Sequence, residues 1–264
     1  MRRIKHLIRK IWQDCYLALI MIFLYAPIAT MMVLSFNNSK SRTQWGGFTL
    51  KWYTQMFASR NIMDALYNTL LIAFLSALIA TIIGTAAAIA INSMKQVPKT
   101  ILMGITNIPM LNADIVTGIS LMLAFIAFGI SLGFKTVLIS HITFNIPYVI
   151  LSVMPKLKQT NRYTYEAAMD LGAGPVYAFF KVVFPDILPG VLSGFLMAFT
   201  MSLDDFIITH FTRGAGVNTL STLIYSEVRR GIKPSMYALS TIIFASVLIL
   251  LIISNFAPKK KQAN

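Results

Sequence analysis

Three aspartates lie inside long apolar stretches of the sequence, where a carboxylate is costly. Asp114 falls in one stretch, and Asp204 and Asp205 stand side by side in another. A charge at bilayer depth costs roughly 2.5–3.5 kcal/mol, and no arginine or lysine lies comparably deep to pair with these three. Carboxylates along a polar path attract organic cations, so all three are candidate pathway residues. Such an aspartate can also stay protonated, cap a helix break or bind a neighbouring subunit's arginine, and Asp205 can equally face the membrane interface.

A second set of residues is suited to gripping another protein: Glu166, Ala167, Ala168, Asp170, Gly172 and Pro185. The two alanines leave a thin helix face that can enter a groove on a partner. Glu166 and Asp170 form a like-charged pair at i and i+4, which costs an isolated helix a few tenths of a kcal/mol and favours a basic partner. An ordinary interfacial helix with solvated acids would have the same composition, so these residues alone leave both interpretations open.

Membrane-spanning helices must position these residues. Of 264 residues, 56% are hydrophobic and only 12% are charged, against roughly a quarter in soluble proteins. Six apolar runs are long enough to cross the hydrocarbon layer of roughly 30 Å as helices: Tyr16–Phe36, Leu66–Ile91, Ile101–Phe128, Thr136–Met154, Leu188–Ile208 and Ala238–Phe256. We predict an all-α polytopic membrane protein with six transmembrane helices in a single domain, residues 1–264.

The third run carries polar and helix-breaking residues around Asn107, Pro109, Asn112 and Gly118. Broken, polar helices are tolerated in lipid chiefly where they line a cavity. The interruption therefore supports a pathway role for Asp114, which lies within it.

Basic residues set the predicted orientation. With both termini on the inside, 14 of the 23 arginines and lysines fall in inside segments and 9 in outside ones, a bias that favours cytoplasmic termini. The net charge of +14 therefore reflects membrane topology, and we predict no nucleic-acid partner. Trp45, Trp52 and Tyr53, in an outer segment, favour anchoring at the lipid–water interface.

The inner segment 155–187, called the EAA segment below, is predicted to form two short helices on the cytoplasmic face. Gly172 suits a left-handed cap that stops the first helix, and Pro175 suits the first turn of the second. Pro185 and Pro189 are expected to end the second helix and begin the fifth span. The segment is too short for a catalytic domain but large enough to bind a partner.

The EAA segment resembles the EAA loop of ABC importer permeases. Glu166, the two alanines, Gly172 and Pro185 match that motif in register, and Val182 and Phe184 stand where the family has isoleucine and leucine. The resemblance to the spermidine/putrescine permeases of this class runs through nearly the whole chain. It rests on residues 37–39, 45–53, 114–116, 140–144, 202–205 and 224–226.

The resemblance implies a type I ABC importer permease fold and a multi-pass protein of the bacterial inner membrane. It implies a second permease subunit, an ATPase dimer that binds the EAA segment, an extracytoplasmic binding protein and contact with membrane lipid. Asp114, Asp204 and Asp205 would face the polyamine. Trp45 and Tyr148 are candidate cation–π partners for its ammonium groups.

Two rival functions remain open at this stage, and a third is rejected. The chain could be a permease for another small solute, or an ion-coupled carrier for organic cations. Ser202, Asp204 and His210 lie close in sequence, as in a hydrolase, but nothing like a nucleophile elbow surrounds the serine. We predict no enzyme activity and no cofactor, because there is no glycine-rich phosphate loop and no metal-ligand spacing around His141 or His210.

Overall fold

The structure is a computed structural model. It describes the backbone of residues 2–256 and the side chains in that range other than those of residues 2–11, 162, 247 and 250–256. In that range the β-type pairing is one isolated antiparallel bridge between Asn37 and Phe48. The twelve α-helices of the described range are α1 Arg2–Ser35, α2 Lys51–Ala58, α3 Arg60–Ser93, α4 Gln96–Leu111, α5 Asp114–Ala127, α6 Phe134–Gln159, α7 Arg162–Asp170, α8 Pro175–Ala178, α9 Phe184–Asp204, α10 Ile207–Thr212, α11 Leu220–Arg230 and α12 Pro234–Phe256.

The chain divides into two compact units. Unit one comprises the residues up to Ile62 and those from Ser226 onward, and unit two comprises Met63–Tyr225. In unit one, α12 packs against α1 and α2. In unit two, α6 packs along α9, and α10 packs against both α5 and α6.

The centre of unit two is built from small residues, which let helices approach closely where lipid provides no hydrophobic driving force. Ala77, Ala80 and Ala88 of α3 are fully buried, next to Val149 and Val153 of α6. A Cβ added at Gly84 would lie 2.8 Å from the Val149 side chain, and one at Gly194 would lie 3.3 Å from the Val149 Cα. The glycines therefore set the spacing between α3, α6 and α9.

Four helical stretches among the described residues are long and apolar enough to cross a membrane, or five if α4 and α5 together count as one broken span. The predicted count of six is not reached on this criterion. The sixth predicted span coincides with α12. In this helix the side chains of residues 247 and 250–256 lie outside the description. Four predicted spans, the first, second, fourth and fifth, have counterparts in the four qualifying stretches.

The third predicted span is bent by 102° between α4 and α5. Asn112 and Ala113 adopt extended backbone conformations at the bend, and the Asn112 amide closes α4 on the Ile108 carbonyl. Pro109, inside the last turn of α4, has no amide hydrogen to extend the helical ladder. The interruption predicted from Pro109 and Asn112 is confirmed, and it places Asp114 at the first residue of α5.

The fifth span begins differently from the prediction. Pro185 and Pro189 do not end a helix, because α8, a π-helical turn at Phe179–Val183 and α9 form one continuous 30-residue stretch. The Phe184 amide bonds the Phe179 carbonyl, five residues back. Proline cannot donate a helical hydrogen bond, and a widened turn just before Pro185 absorbs that loss. The helix ends at Asp204, earlier than the predicted Ile208.

Candidate functional site: an acidic helix break and the EAA segment

The two adjacent aspartates lie at the break between α9 and α10, which we call the acidic turn, residues 204–206. Asp205 has an extended backbone, and this ends α9. Its carboxylate accepts hydrogen bonds from the Ile208 amide at 3.2 Å and from the Thr209 amide and hydroxyl at 2.8 and 2.9 Å. Asp205 therefore caps the start of α10, one of the alternatives that the sequence left open.

Asp204 and Asp205 have opposite environments. The Asp205 side chain is 9% exposed and lies 3.4 Å from His141 Nε2, whereas Asp204 is exposed. The donors around Asp205 compensate its burial, as a buried carboxylate requires. Asp204 is thus the member of the pair whose carboxylate stands open to a ligand or partner.

His141 is a buried residue to which the sequence analysis gave no site role. It is 2% exposed, and its Nδ1 and Nε2 atoms lie 2.5 Å from Ser202 Oγ and 2.9 Å from Thr209 Oγ1. The sequence analysis found no metal-ligand spacing around His141, and the structure shows this histidine packed inside unit two. The available signal was a histidine in an apolar helix, but its partners are more than sixty residues away in sequence.

Asp114 and Tyr148 lie near the same region of unit two. Tyr148 packs with Phe144 and Ile208. Ile208 is the second residue of α10. One turn after Asp114, Gly118 packs directly on α10, where an added Cβ would lie 3.2 Å from Phe211 Cδ2 and 3.4 Å from Ile208 Cα. Both helix breaks therefore border one contact between α5 and α10.

Aromatic rings adjoin the acidic turn, and the sequence analysis did not group them. The Phe206 ring lies 4.5 Å from the Tyr225 ring and 5.2 Å from the His210 ring, centroid to centroid. Ser221 Oγ donates to the Asp205 carbonyl at 2.7 Å and so joins the start of α11 to the turn. An open carboxylate beside aromatic faces is a suitable environment for an ammonium group.

The EAA segment contains the short first helix and the turn that the sequence predicted, whereas the predicted second helix continues into the fifth span. Asn161 caps α7 by accepting from the Tyr163 amide at 3.0 Å. Gly172 has φ +87°, the Gly172 amide bonds the Met169 carbonyl, and the Ala173 amide bonds the Ala168 carbonyl. These two bonds make a Schellman cap, and Pro175 occupies the first turn of α8. Both cap predictions are confirmed.

The EAA segment presents an exposed surface of mixed character. Glu166, Ala167 and Asp170 are exposed, and Ala168 is half-buried. Exposed apolar side chains surround them, of which Leu171, 90% exposed, is the most open. The others are Tyr163, Met169, Val176, Tyr177 and Phe180.

A cavity of about 430 Å³ lies behind α7 and includes Asn92, Thr160, Tyr165 and Glu166 in its lining. The segment thus offers an apolar face with acids at its edge, the composition of a protein-binding surface.

Trp45 and Trp52 belong to unit one and differ in exposure. Trp45 is 58% exposed, as an interface anchor or ligand partner requires, but Trp52 is 5% exposed and its indole donates to the Asn37 carbonyl at 2.7 Å. The interface role predicted for Trp52 is therefore wrong. Asn37 organises the loop, because its side chain also accepts from the amides of Ser39 and Gly46.

The grouping of Ser202 with His210 and Asp204 is not found. Ser202 contacts His141 instead, and Ser202, His141 and Asp205 are all packed inside unit two. Ser202 is buried, so there is no room beside it for an acyl substrate. It also contacts Nδ1 of His141, whereas the serine of a catalytic triad contacts Nε2. The arrangement is a structural hydrogen-bond network.

Comparison with known families accounts for this combination of broken spans and an EAA segment. Residues 80–259 match the family described as "Binding-protein-dependent transport system inner membrane component". The chain belongs to this family. It is therefore a permease subunit, a transport component and not an enzyme, and a multi-pass protein of the inner membrane. Permeases of this kind work with a further permease, ATPase subunits and a binding protein.

Curated relatives of the permease cover nearly its whole length. It is 35% identical over 255 residues to the "Spermidine/putrescine transport system permease protein PotC" of Escherichia coli K12, covering 97% of both chains. It is 36% identical over 247 residues to the "Putrescine transport system permease protein PotI" of the same strain, covering 91% of this chain and 88% of the relative. A PotC homolog of Mycoplasma pneumoniae is 31% identical over 263 residues, covering 93% and 90%.

Solved structures support the fold. The permease matches a chain of a bacterial ABC transporter involved in the import of the acidic polysaccharide alginate, with a TM-score of 0.73 and 18% identity over 100% of both chains. A second structure, of a bacterial alginate ABC transporter in complex with a pentasaccharide-bound periplasmic protein, has a TM-score of 0.71 and 16% identity, covering 94% and 92%. The predicted all-α ABC importer permease fold is confirmed.

Proposed function

We propose that this permease carries polyamines, spermidine or putrescine, into the cytoplasm as one subunit of an ATP-driven importer. The observation that carries the proposal is the 35% identity to a spermidine/putrescine permease over 97% of the chain. The site chemistry agrees with it, because a cationic passenger needs open carboxylates, and Asp204 and Asp114 are both exposed.

In the proposed pathway, Asp114 and Asp204 attract the ammonium groups. Each begins or ends a broken helix, where the backbone is free of the regular ladder and polar groups accumulate. Tyr148, which packs with Phe144 and Ile208 in the same unit as both aspartates, is a candidate aromatic partner for the ammonium groups. Trp45, exposed in unit one, is a separate candidate. Asp205 contributes by holding the acidic turn in shape.

The EAA segment is proposed to bind the ATPase. Glu166, Ala167, Ala168 and Asp170 belong to one exposed helix, whose Schellman cap at Gly172 rigidly ends it. Pro185 then carries the segment into α9, which ends at the acidic turn. Because α8 and α9 form one continuous helix, force applied at the EAA segment is transmitted along about 45 Å of helix.

The proposed assembly pairs this chain with a second, different permease, two ATPase subunits and an extracytoplasmic binding protein. Its two termini and the EAA segment face the cytoplasm. The positive-inside bias supports that orientation. In this orientation the ATPase binds on the cytoplasmic side, where ATP is available.

The test is substrate-stimulated ATP hydrolysis and uptake by the assembled transporter in vesicles. Spermidine and putrescine are compared with a neutral sugar and an acidic oligosaccharide, each supplied with the system's binding protein. We expect amines alone to stimulate hydrolysis, and labelled amine to accumulate only with ATP on the EAA side. An ionophore that collapses ion gradients should leave uptake unchanged. Uptake without ATP, or stimulation by the sugar alone, would refute the proposal.

A further inference from the structure

A chain of buried polar side chains, here called the His141 relay, leads across unit two to the acidic turn. Its members are Asn145, Ser76, Ser202, His141, Thr209 and Asp205. Successive polar atoms are 3.5, 3.1, 2.5, 2.9 and 2.9 Å apart. The relay joins α3, α6, α9 and α10. Buried polar groups in this apolar setting are costly unless they are paired. Asn145 Oδ1, at the far end, has no partner among the described residues, whereas both His141 ring nitrogens and both Asp205 carboxylate oxygens have one.

The hydrogen positions at the Asp205 end follow from the partners. The Thr209 hydroxyl donates its single proton to Asp205 Oδ2 and therefore offers His141 only a lone pair. The other group near His141 Nε2 is the Asp205 carboxylate, which also accepts. Nε2 must then carry a hydrogen whether the imidazole is neutral or charged. At Nδ1 the ring can accept from Ser202 or donate to it.

The relay holds the acidic turn from several sides. Asp205 receives the His141 and Thr209 contacts and the Ile208 and Thr209 amides, and Ser221 binds its carbonyl. The residue immediately before it, Asp204, has its side chain exposed. Because the backbone at Asp205 is held in place, the Asp204 side chain can point in only a limited range of directions.

We propose that His141 is a positioning residue for the passenger: through Nε2 and Thr209 it fixes Asp205 over the start of α10, and this aims Asp204 at the transport path. The inference rests on the proposed function, because it assigns His141 to the same amine-recognition site. His141 does not touch the passenger. Its effect is on the apparent affinity of the open turn for amine, more than on the maximal rate of ATP hydrolysis.

Two pairs of variants test the role in the complete transporter. His141→Gln keeps a donor near the Nε2 position, whereas His141→Asn keeps polarity only near Nδ1. Thr209→Val removes the relay hydroxyl, and Thr212→Val, its control, alters another fully buried threonine of α10 whose hydroxyl bonds only the Ile208 carbonyl.

The readout is the amine concentration that half-stimulates ATP hydrolysis, measured beside the maximal rate. We expect His141→Asn and Thr209→Val to raise it about tenfold, because a displaced Asp204 carboxylate would lose about one charge-assisted hydrogen bond to the amine. His141→Gln and Thr212→Val should stay within about twofold, and the maximal rates should change less than the half-stimulating concentrations.

Equal values within each pair would overturn the positioning role. So would a loss of assembled complex in Thr209→Val that Thr212→Val does not share, since that result assigns the relay to folding alone.

An independent readout separates this inference from the proposed function. Nitrogen-15 NMR of histidine-labelled permease, with the His141 signal identified from His141→Gln, should show hydrogen on Nε2. A ring with bare Nε2 would refute the relay whatever the substrate is. If amines fail to stimulate the wild-type transporter, the proposed function fails and the NMR result still judges the hydrogen-bond geometry.

Discussion

Two neighbouring aspartates with the same chemistry occupy opposite environments in this permease. Asp205 is surrounded by donors from α6 and α10, whereas Asp204 is exposed. A buried carboxylate is tolerated only when its hydrogen bonds are satisfied, and an open one can exchange water for a cation. The pair therefore divides structural and recognition roles between adjacent positions.

This division predicts separate effects of Asp204→Ala and Asp205→Ala. Asp205→Ala removes the cap of α10 and should destabilise the protein by about 1–2 kcal/mol, the usual range for a lost N-cap. Asp204→Ala should leave stability within about 0.5 kcal/mol, as surface substitutions do, but should lower amine uptake. Thermal unfolding of the purified complex and vesicle uptake measure the two effects. Equal unfolding temperatures for the two variants would contradict the division.

At the scale of elements, the helix ends of the EAA segment depend on local backbone chemistry. Gly172 and Gly174 lie two residues apart, and a Cβ added at either would meet nothing within 4 Å. They differ in φ, which is +87° at Gly172 and −65° at Gly174. Only the conformation of Gly172 is costly for a residue that has a Cβ.

Gly172→Ala should therefore destabilise the cap of α7 by about 1 kcal/mol, while Gly174→Ala introduces no such backbone strain. If the EAA segment transmits force, Gly172→Ala also lowers amine uptake per ATP hydrolysed. The ratio of uptake to hydrolysis in vesicles measures this coupling. A normal ratio in Gly172→Ala would show that the cap has no part in it.

Helix spacing in unit two gives a second prediction at this scale. Gly84→Ala would place a Cβ 2.8 Å from Val149 Cβ and 3.2 Å from the Ile146 carbonyl oxygen. Overpacking of this kind costs about 1–3 kcal/mol.

The matched variant is Gly104→Ala in α4, where nothing lies within 4 Å and alanine favours the helix by about 0.5–1 kcal/mol. We expect opposite shifts in the unfolding temperature of the two variants. A destabilised Gly104→Ala would show that a partner subunit approaches that glycine closely.

At the scale of the whole molecule, the proposed function requires one orientation of the chain in the membrane. Helix packing alone does not determine that orientation. Within unit two, α6 is 26 residues long and separates residue 131 from α7 by about 39 Å of helix, more than the hydrocarbon layer. We therefore expect two exposed positions, Ser131 and Leu171, to lie on opposite sides of the membrane.

Single cysteines at these positions test the orientation in a Cys15→Ser background, which removes the chain's one cysteine. In intact cells, a membrane-impermeant thiol reagent should label Ser131→Cys, while Leu171→Cys should react only after the membrane is opened. The reverse pattern would place the EAA segment outside and exclude an ATPase contact there.

The sequence alone determined the features that arise from short-range chemistry. Apolar runs predicted most of the spans, Pro109 and Asn112 predicted the bend before Asp114, and Gly172 and Pro175 predicted the caps of α7 and α8. The bend and the caps each depend on residues within about one or two helical turns of one another, and each apolar run is continuous along the chain. The error at Pro185 and Pro189 has the same origin, because a π-helical turn can absorb a proline that the rule treats as a helix end.

Only the tertiary structure decided which aspartate is open and which is held. His141 and Asp205 are 64 residues apart in sequence, and Ser76 is more distant still from Ser202. Their contacts exist because small residues let α3, α6 and α9 pack closely enough for polar side chains to meet. Burial of a side chain is a property of that packing, and residue type and spacing along the chain do not specify it.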